Sequence, residues 1–180
     1  MELKSAQADL RNAYVRGGPG AIVSGLVWLA AGVVASRSGL QTGFVVLFFG
    51  GMLIYPLSLL VSRGLLRRSA EQKGNPGGPL VMETVPFMIG GLLAAWLILP
   101  HRPEFVFPLA AIAVGAHYFP FRTAYGDRTY WVLAALMCAV GITAIFMGTP
   151  PSSQVPMVIA LIEVVFGAWF TFKGLKAGTE

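Results

Sequence analysis

Apolar residues run along this chain in long blocks, and the charged residues fall almost entirely between them. Uncharged stretches extend over Gly17–Ser36, Ser38–Ser62, Thr84–His101, Phe105–Phe121 and Thr129–Ile162. A helix needs about 20 apolar residues to cross the hydrocarbon core of a bilayer, so the last stretch holds one full crossing and part of another. The pattern predicts six transmembrane helices, at Pro19–Ser36, Gly43–Ser62, Val81–Leu99, Glu104–Phe119, Tyr130–Gly148 and Val155–Phe172, the fourth being the shortest. The expected fold class is all-α, a polytopic membrane protein with its six helices arranged as three helical hairpins.

Residues 1–18 follow a different rhythm. Leu3, Ala6, Leu10 and Ala13 or Tyr14 recur at helical spacing, with Lys4, Asp9 and Arg11 on other faces. That suits an amphipathic helix lying along the inner leaflet, with a solvated helical tail as the alternative. The segment ends in Arg16-Gly17-Gly18-Pro19-Gly20, whose breakers turn the chain into the first crossing. The expected organisation is an interfacial segment at 1–18 and a six-helix transmembrane domain at 19–180. The longest loop, about Arg63 to Leu80, is a charged, Gly/Pro-rich connector.

Composition agrees. The chain is 56% hydrophobic and only 12% charged, about half the charge of an average soluble domain. A net charge of +5 would suit nucleic acid if it formed one patch, but here it sorts by loop. Lys4, Arg11 and Arg16 precede the first crossing; Arg63, Arg67, Arg68 and Lys73 follow the second; Arg122 and Arg128 follow the fourth; Lys173 and Lys176 close the chain. Only Arg37 and Arg102 fall on the opposite side, so the positive-inside rule places both termini in the cytoplasm. Lipid, not nucleic acid, is the expected surrounding.

The single cysteine, Cys138, falls within the fifth crossing, and the two histidines are His101 and His117. This supply makes neither an intramolecular disulfide nor a thiolate metal cluster, and His101-Arg-Pro-Glu104 lacks a third ligand. Neither a nucleophile elbow nor a Gly-rich phosphate loop is present. No catalytic residue, metal or cofactor is therefore assigned.

Short echoes recur along the chain. Gly17-Gly18-Pro19 returns as Gly77-Gly78-Pro79, Gly51 through Tyr55-Pro56 resembles Gly115 through Phe119-Pro120, and Phe166-Gly167 matches Phe49-Gly50. They fit parallel repeats related by an axis along the membrane normal, with chance recurrence of Gly and Pro as the alternative. Each crossing also carries a stripe of small or weakly polar residues, the mark of a face turned to other helices. Pro56 lies deep in the second crossing and is expected to free the carbonyl of Met52.

Glu163 stands out. It sits about halfway along the sixth crossing, too deep for its short side chain to reach the headgroups, where an ionised acid costs from about 2.5 to over 10 kcal/mol. It is a proton or cation site, a buried acid that fixes helix packing, or an oligomer contact. Glu83 and His117 are expected about one turn inside the cytoplasmic boundary on neighbouring helices, placed to pair as a proton relay or to meet headgroups separately. Tyr55 and Tyr118 bring hydroxyls onto the small-residue stripes and complete the candidate solute- or ion-binding set. The inner rim from Tyr118 to Trp131 mixes aromatics with Arg122 and Arg128, the candidate contacts to lipid headgroups.

Arg11 through Gly20, Ser24-Gly25-Leu-Val-Trp28, and Phe119-Pro-Phe-Arg122-Thr-Ala-Tyr-Gly-Asp127 resemble a family of small bacterial multi-pass membrane proteins classed as a domain of unknown function. The resemblance implies a bacterial inner-membrane location and six helices, and it brings no established active residues. The function expected is a small transporter or channel-like protein for a small solute or ion, proton-coupled through Glu163, acting as a homo-oligomer. The alternatives are a lipid-binding or lipid-modifying protein using His117, Asp127, Arg122 and Tyr118, or a non-catalytic assembly partner.

Overall fold

In hydrocarbon an unpaired backbone N–H or C=O costs several kcal/mol, so an apolar chain pairs these groups along its own helix. The computed structural model describes residues 1–176, and among these all regular structure is helical; residues 177–180 of the expected transmembrane domain lie outside the described residues. The helices are α1 (Leu3–Ala13), α2 (Gly18–Ser38), α3 (Leu40–Leu59), α4 (Gly77–Met82), α5 (Val85–Ile98), α6 (Val106–His117), α7 (Phe121–Tyr125), α8 (Thr129–Met147) and α9 (Val155–Lys176). They build six stretches long and apolar enough to cross a membrane: Val15–Ser38, Leu40–Leu65, Gly77–Ile98, Pro103–Tyr125, Thr129–Met147 and Val155–Lys176.

Most of these stretches run further at one or both ends than the hydrophobic blocks predict, while the fifth is only shifted by one residue. The third starts at Gly77, because a short turn of helix, α4, precedes a break at Glu83 and Thr84. The fourth continues past Pro120 into α7 and stops at Gly126, which takes the left-handed conformation at φ 65°. Pro56 sits inside an unbroken α3, which widens into a π-helical turn at Leu60–Leu65.

Packing divides the crossings into two groups of three. In the first, α2 lies between α3 and α9; in the second, α6 lies between α5 and α8. Glycines set the closeness within each group. Gly18, Gly25 and Gly32 recur at every seventh position of α2 and face Gly167, Thr171, Ala160, Val164 and Pro156 of α9, while Gly167 and Gly174 of α9 face Ile22 and Val15 in return. Gly43 and Gly50 of α3 meet Ala31, Ala35 and Val27 of α2. Gly91 of α5 meets Ala113, and Gly115 and Gly141 close the α6–α8 contact. Backbones approach where a side chain is missing, and dispersion then holds the pair.

Between the groups α9 packs on α8 and α6, and rings fill much of the remaining contact. Trp28 and Phe44 of the first meet Phe107 of the second at 6.4 and 6.3 Å, and Phe44, Phe48 and Phe49 surround Trp96 at 5.7, 5.2 and 6.3 Å. Large residues such as Phe87, Leu97, Phe146 and Leu161 point outward and are exposed, as lipid-facing positions require.

α1 does not lie loose. Its apolar face, Ala6, Leu10 and Ala13, is buried, and its polar groups bind α7 and the loop before α4. Gln7 Nε2 donates to the Thr123 carbonyl at 2.8 Å, Arg11 to the Tyr125 carbonyl at 2.7 Å, and Asp9 accepts from the Gln72 backbone at 2.9 Å and from Asn75 Nδ2 at 2.7 Å.

Candidate functional site

α9 carries Glu163 inward between the two groups of helices. The glycine contacts bring α2 so near to α9 that Ser24, itself buried, stands beside the carboxyl. From the other group, the end of α6 supplies Tyr118, whose hydroxyl donates to Glu163 Oε1 at 2.9 Å. The acid is 0% exposed, and its second oxygen, Oε2, is buried without a hydrogen-bond partner. A carboxyl oxygen left open in a low-dielectric interior is costly, by about 1–3 kcal/mol or more. Such an oxygen is where a proton or cation gains most by binding.

Toward the end of the bundle that carries α1, Glu163 is covered by a column of rings. Tyr118 stacks on Tyr130 at 6.2 Å, Tyr130 on Phe170 at 4.4 Å and on Tyr125 at 5.3 Å, with Phe121 closing the side. Beneath them lies the turn Val15–Gly17. Its Arg16 carbonyl accepts from the Tyr130 hydroxyl at 2.6 Å, and a side chain at Gly17 would run into that hydroxyl and lie in contact with Tyr125. The turn holds three successive left-handed residues, Val15 (φ 49°), Arg16 (φ 56°) and Gly17 (φ 74°). Only glycine adopts this freely, and the two others cost about 1–3 kcal/mol each.

Arg16 fastens the turn. Its guanidinium meets Asp127 Oδ2 at 3.0 Å, and Lys173 Nζ reaches the same oxygen at 3.8 Å. Burial pushes the Asp127 carboxyl up, but the hydrogen bonds from Thr129, then the charges of Lys173 and Arg16, outweigh it and hold the group below its ordinary 3.8. Its contribution to stability is therefore whole above that value and is lost only as pH falls through the lower folded one. Near neutral pH the fastening is closed.

Of the other sequence candidates, His117 borders this site, its ring lying against Tyr118 at 5.7 Å and Phe121 at 4.8 Å, but it is not bonded to the acid. His117 pairs with the Thr84 hydroxyl, not with Glu83, and Glu83 is exposed. The break between α4 and α5 puts Thr84 toward α6. Tyr55 is exposed beside Tyr14, whose phenol is pushed up to about 12 by burial and then by neighbouring Glu71 and Tyr55. Arg122 rests over the Trp131 ring at 5.0 Å, and Arg128 is exposed. Among the described residues no group of three or more His, Cys, Asp or Glu stands close enough to hold a metal. Ser24 went unnoticed in the sequence because a serine on a helix face gives no signal until its neighbour is known.

Six long apolar helices that enclose the buried acid Glu163, counted among the described residues, define a multi-pass membrane protein. The chain belongs to a family of unknown function, DUF7010, whose model matches residues 3–173. No curated protein and no solved structure matches it.

Proposed function

We propose that this protein is a small integral membrane transporter or channel-like protein of the bacterial cytoplasmic membrane. It acts as a homo-oligomer, and Glu163 carries the proton that couples movement of a small solute or ion. The observation that carries this reading is the unpartnered Oε2 of a fully buried carboxyl whose other oxygen is already held by Tyr118. A purely structural acid would use both oxygens, since a half-satisfied buried group is worse than an apolar one. The position of the bond, between two groups of closely packed helices, suits a site exposed alternately to either side. The form described is then the occluded one.

Glu163→Gln tests it. Glutamine keeps an acceptor for Tyr118 and nearly the same shape, but it cannot exchange a proton. In proteoliposomes with an imposed pH gradient, the variant is expected to dissipate the gradient about tenfold or more slowly than the parent, on the scale of losing a proton-transferring group. Equal rates in the two proteins sink the proposal. The complete burial of Glu163 also favours a second reading, an assembly partner in which this acid only fixes packing; there Glu163→Gln changes oligomeric state or stability and no flux. The lipid-modifying alternative draws no support from the inner rim, where His117, Arg122 and Asp127 bind Thr84, Trp131 and Arg16 separately.

A further inference from the structure

Between Glu163 and the end of the bundle that carries α1, two layers intervene. The first is the ring column Tyr118, Tyr130, Phe170 and Tyr125, every member of it buried. The second is the Val15–Gly17 turn, which presses on Tyr130 and Tyr125 and accepts the Tyr130 hydroxyl bond. The turn belongs to the helix group of α2 and α9, whereas Asp127, in the α7–α8 loop, belongs to the other. The Arg16–Asp127 pair thus joins the two groups directly below the rings, with Lys173 of α9 adding to the same oxygen. Two non-glycine residues held left-handed mark a backbone kept in place by its surroundings. Arg11 and Gln7 tie α1 to the same α7 segment, so α1, the turn and the loop form one continuous cover.

We propose that the Val15–Gly17 turn, latched by Arg16 to Asp127, is the cytoplasmic gate of the Glu163 site: releasing the latch lifts the turn from Tyr130 and admits water to the acid. This deepens the reading of Glu163 as the transport site and rests on it for its purpose. The water access that it predicts is measured without any transport readout.

Ser24, beside Glu163, is replaced by cysteine in a Cys138→Ala background, and a membrane-impermeant thiol reagent is applied to vesicles with the α1-bearing face outward. The parent S24C protein is expected to label slowly. Asp127→Asn, or Arg16→Gln where that variant does not accumulate, is expected to raise the rate about tenfold, as an enlarged open population dictates. The gate is overturned by a parent that labels as fast as the latch variants or by latch variants that label as slowly as the parent. If labelling behaves as expected while Glu163→Gln leaves proton flux intact, the gate stands and the transport assignment falls. The opposite pair of results removes the gate alone.

Discussion

Gly25→Leu is expected to leave little folded protein, because the position faces backbone and has nowhere to put a side chain. Even a methyl group there would stand 2.7 Å from Val164 Cγ2 and 3.0 Å from the Ala160 carbonyl oxygen. Overpacking of this kind costs about 1–3 kcal/mol for a small insertion and more when a helix must move. Gly25→Ala should therefore lower the thermal midpoint in detergent, and Gly25→Leu should abolish the monodisperse peak in size-exclusion chromatography. Gly51→Ala and Gly90→Ala provide the contrast, since nothing lies within 4 Å of the added carbon at either position. Both should match the parent or slightly exceed it, by up to the helix preference of about 1 kcal/mol. If Gly25→Ala and Gly90→Ala melt together, the close α2–α9 contact is not what holds this group.

Tyr118→Phe is expected to have the second large effect. It removes the hydroxyl that bonds Glu163 Oε1 and leaves Ser24 as the neighbouring hydroxyl of the buried acid. The cost is the desolvation of a buried polar group, about 1–3 kcal/mol. Adding Glu163→Leu should recover most of that loss, because replacing both partners with apolar groups of similar size is often neutral. The double-mutant cycle should then give a coupling of about 0.5–3 kcal/mol. A Tyr118→Phe protein as stable as the parent, or a cycle that closes to zero, means that the 2.9 Å bond contributes nothing.

The hydrophobic blocks carry the six crossings plainly, because twenty apolar residues have few other solutions in a bilayer. Ends were harder: residues 77–80 look like loop by two glycines and a proline, yet they open a turn of helix that runs to Met82. Small-residue periodicity marked a packing face on α2 through Gly25 and Gly32, but a face does not name its partner. That α2 meets α9, at the far end of the sequence, depends on three-dimensional fit between glycines at both sites. The same limit explains the candidate site. Glu163 is visible as a charge out of place, and Tyr118 as a hydroxyl on a stripe, while their meeting required the neighbours of α6 and α9. Proximity along the membrane normal suggested Glu83 for His117, and a local helix break presented Thr84 instead.

The seam between the two helix triplets joins unlike materials. Within each triplet, glycine-lined backbones interlock, and pulling them apart would strip dispersion contacts along whole turns. Across the seam, aromatic surfaces meet beside the α9 contacts with α8 and α6, and directional ties run from Tyr118 to Glu163, from Tyr130 to the Arg16 carbonyl and from Arg16 to Asp127. Rings slide over one another with little change in buried area, whereas knobs seated in glycine notches do not. Mechanical compliance is thus concentrated in one plane of the molecule, and a shear along it would carry each triplet as a rigid body while changing what the acid between them faces.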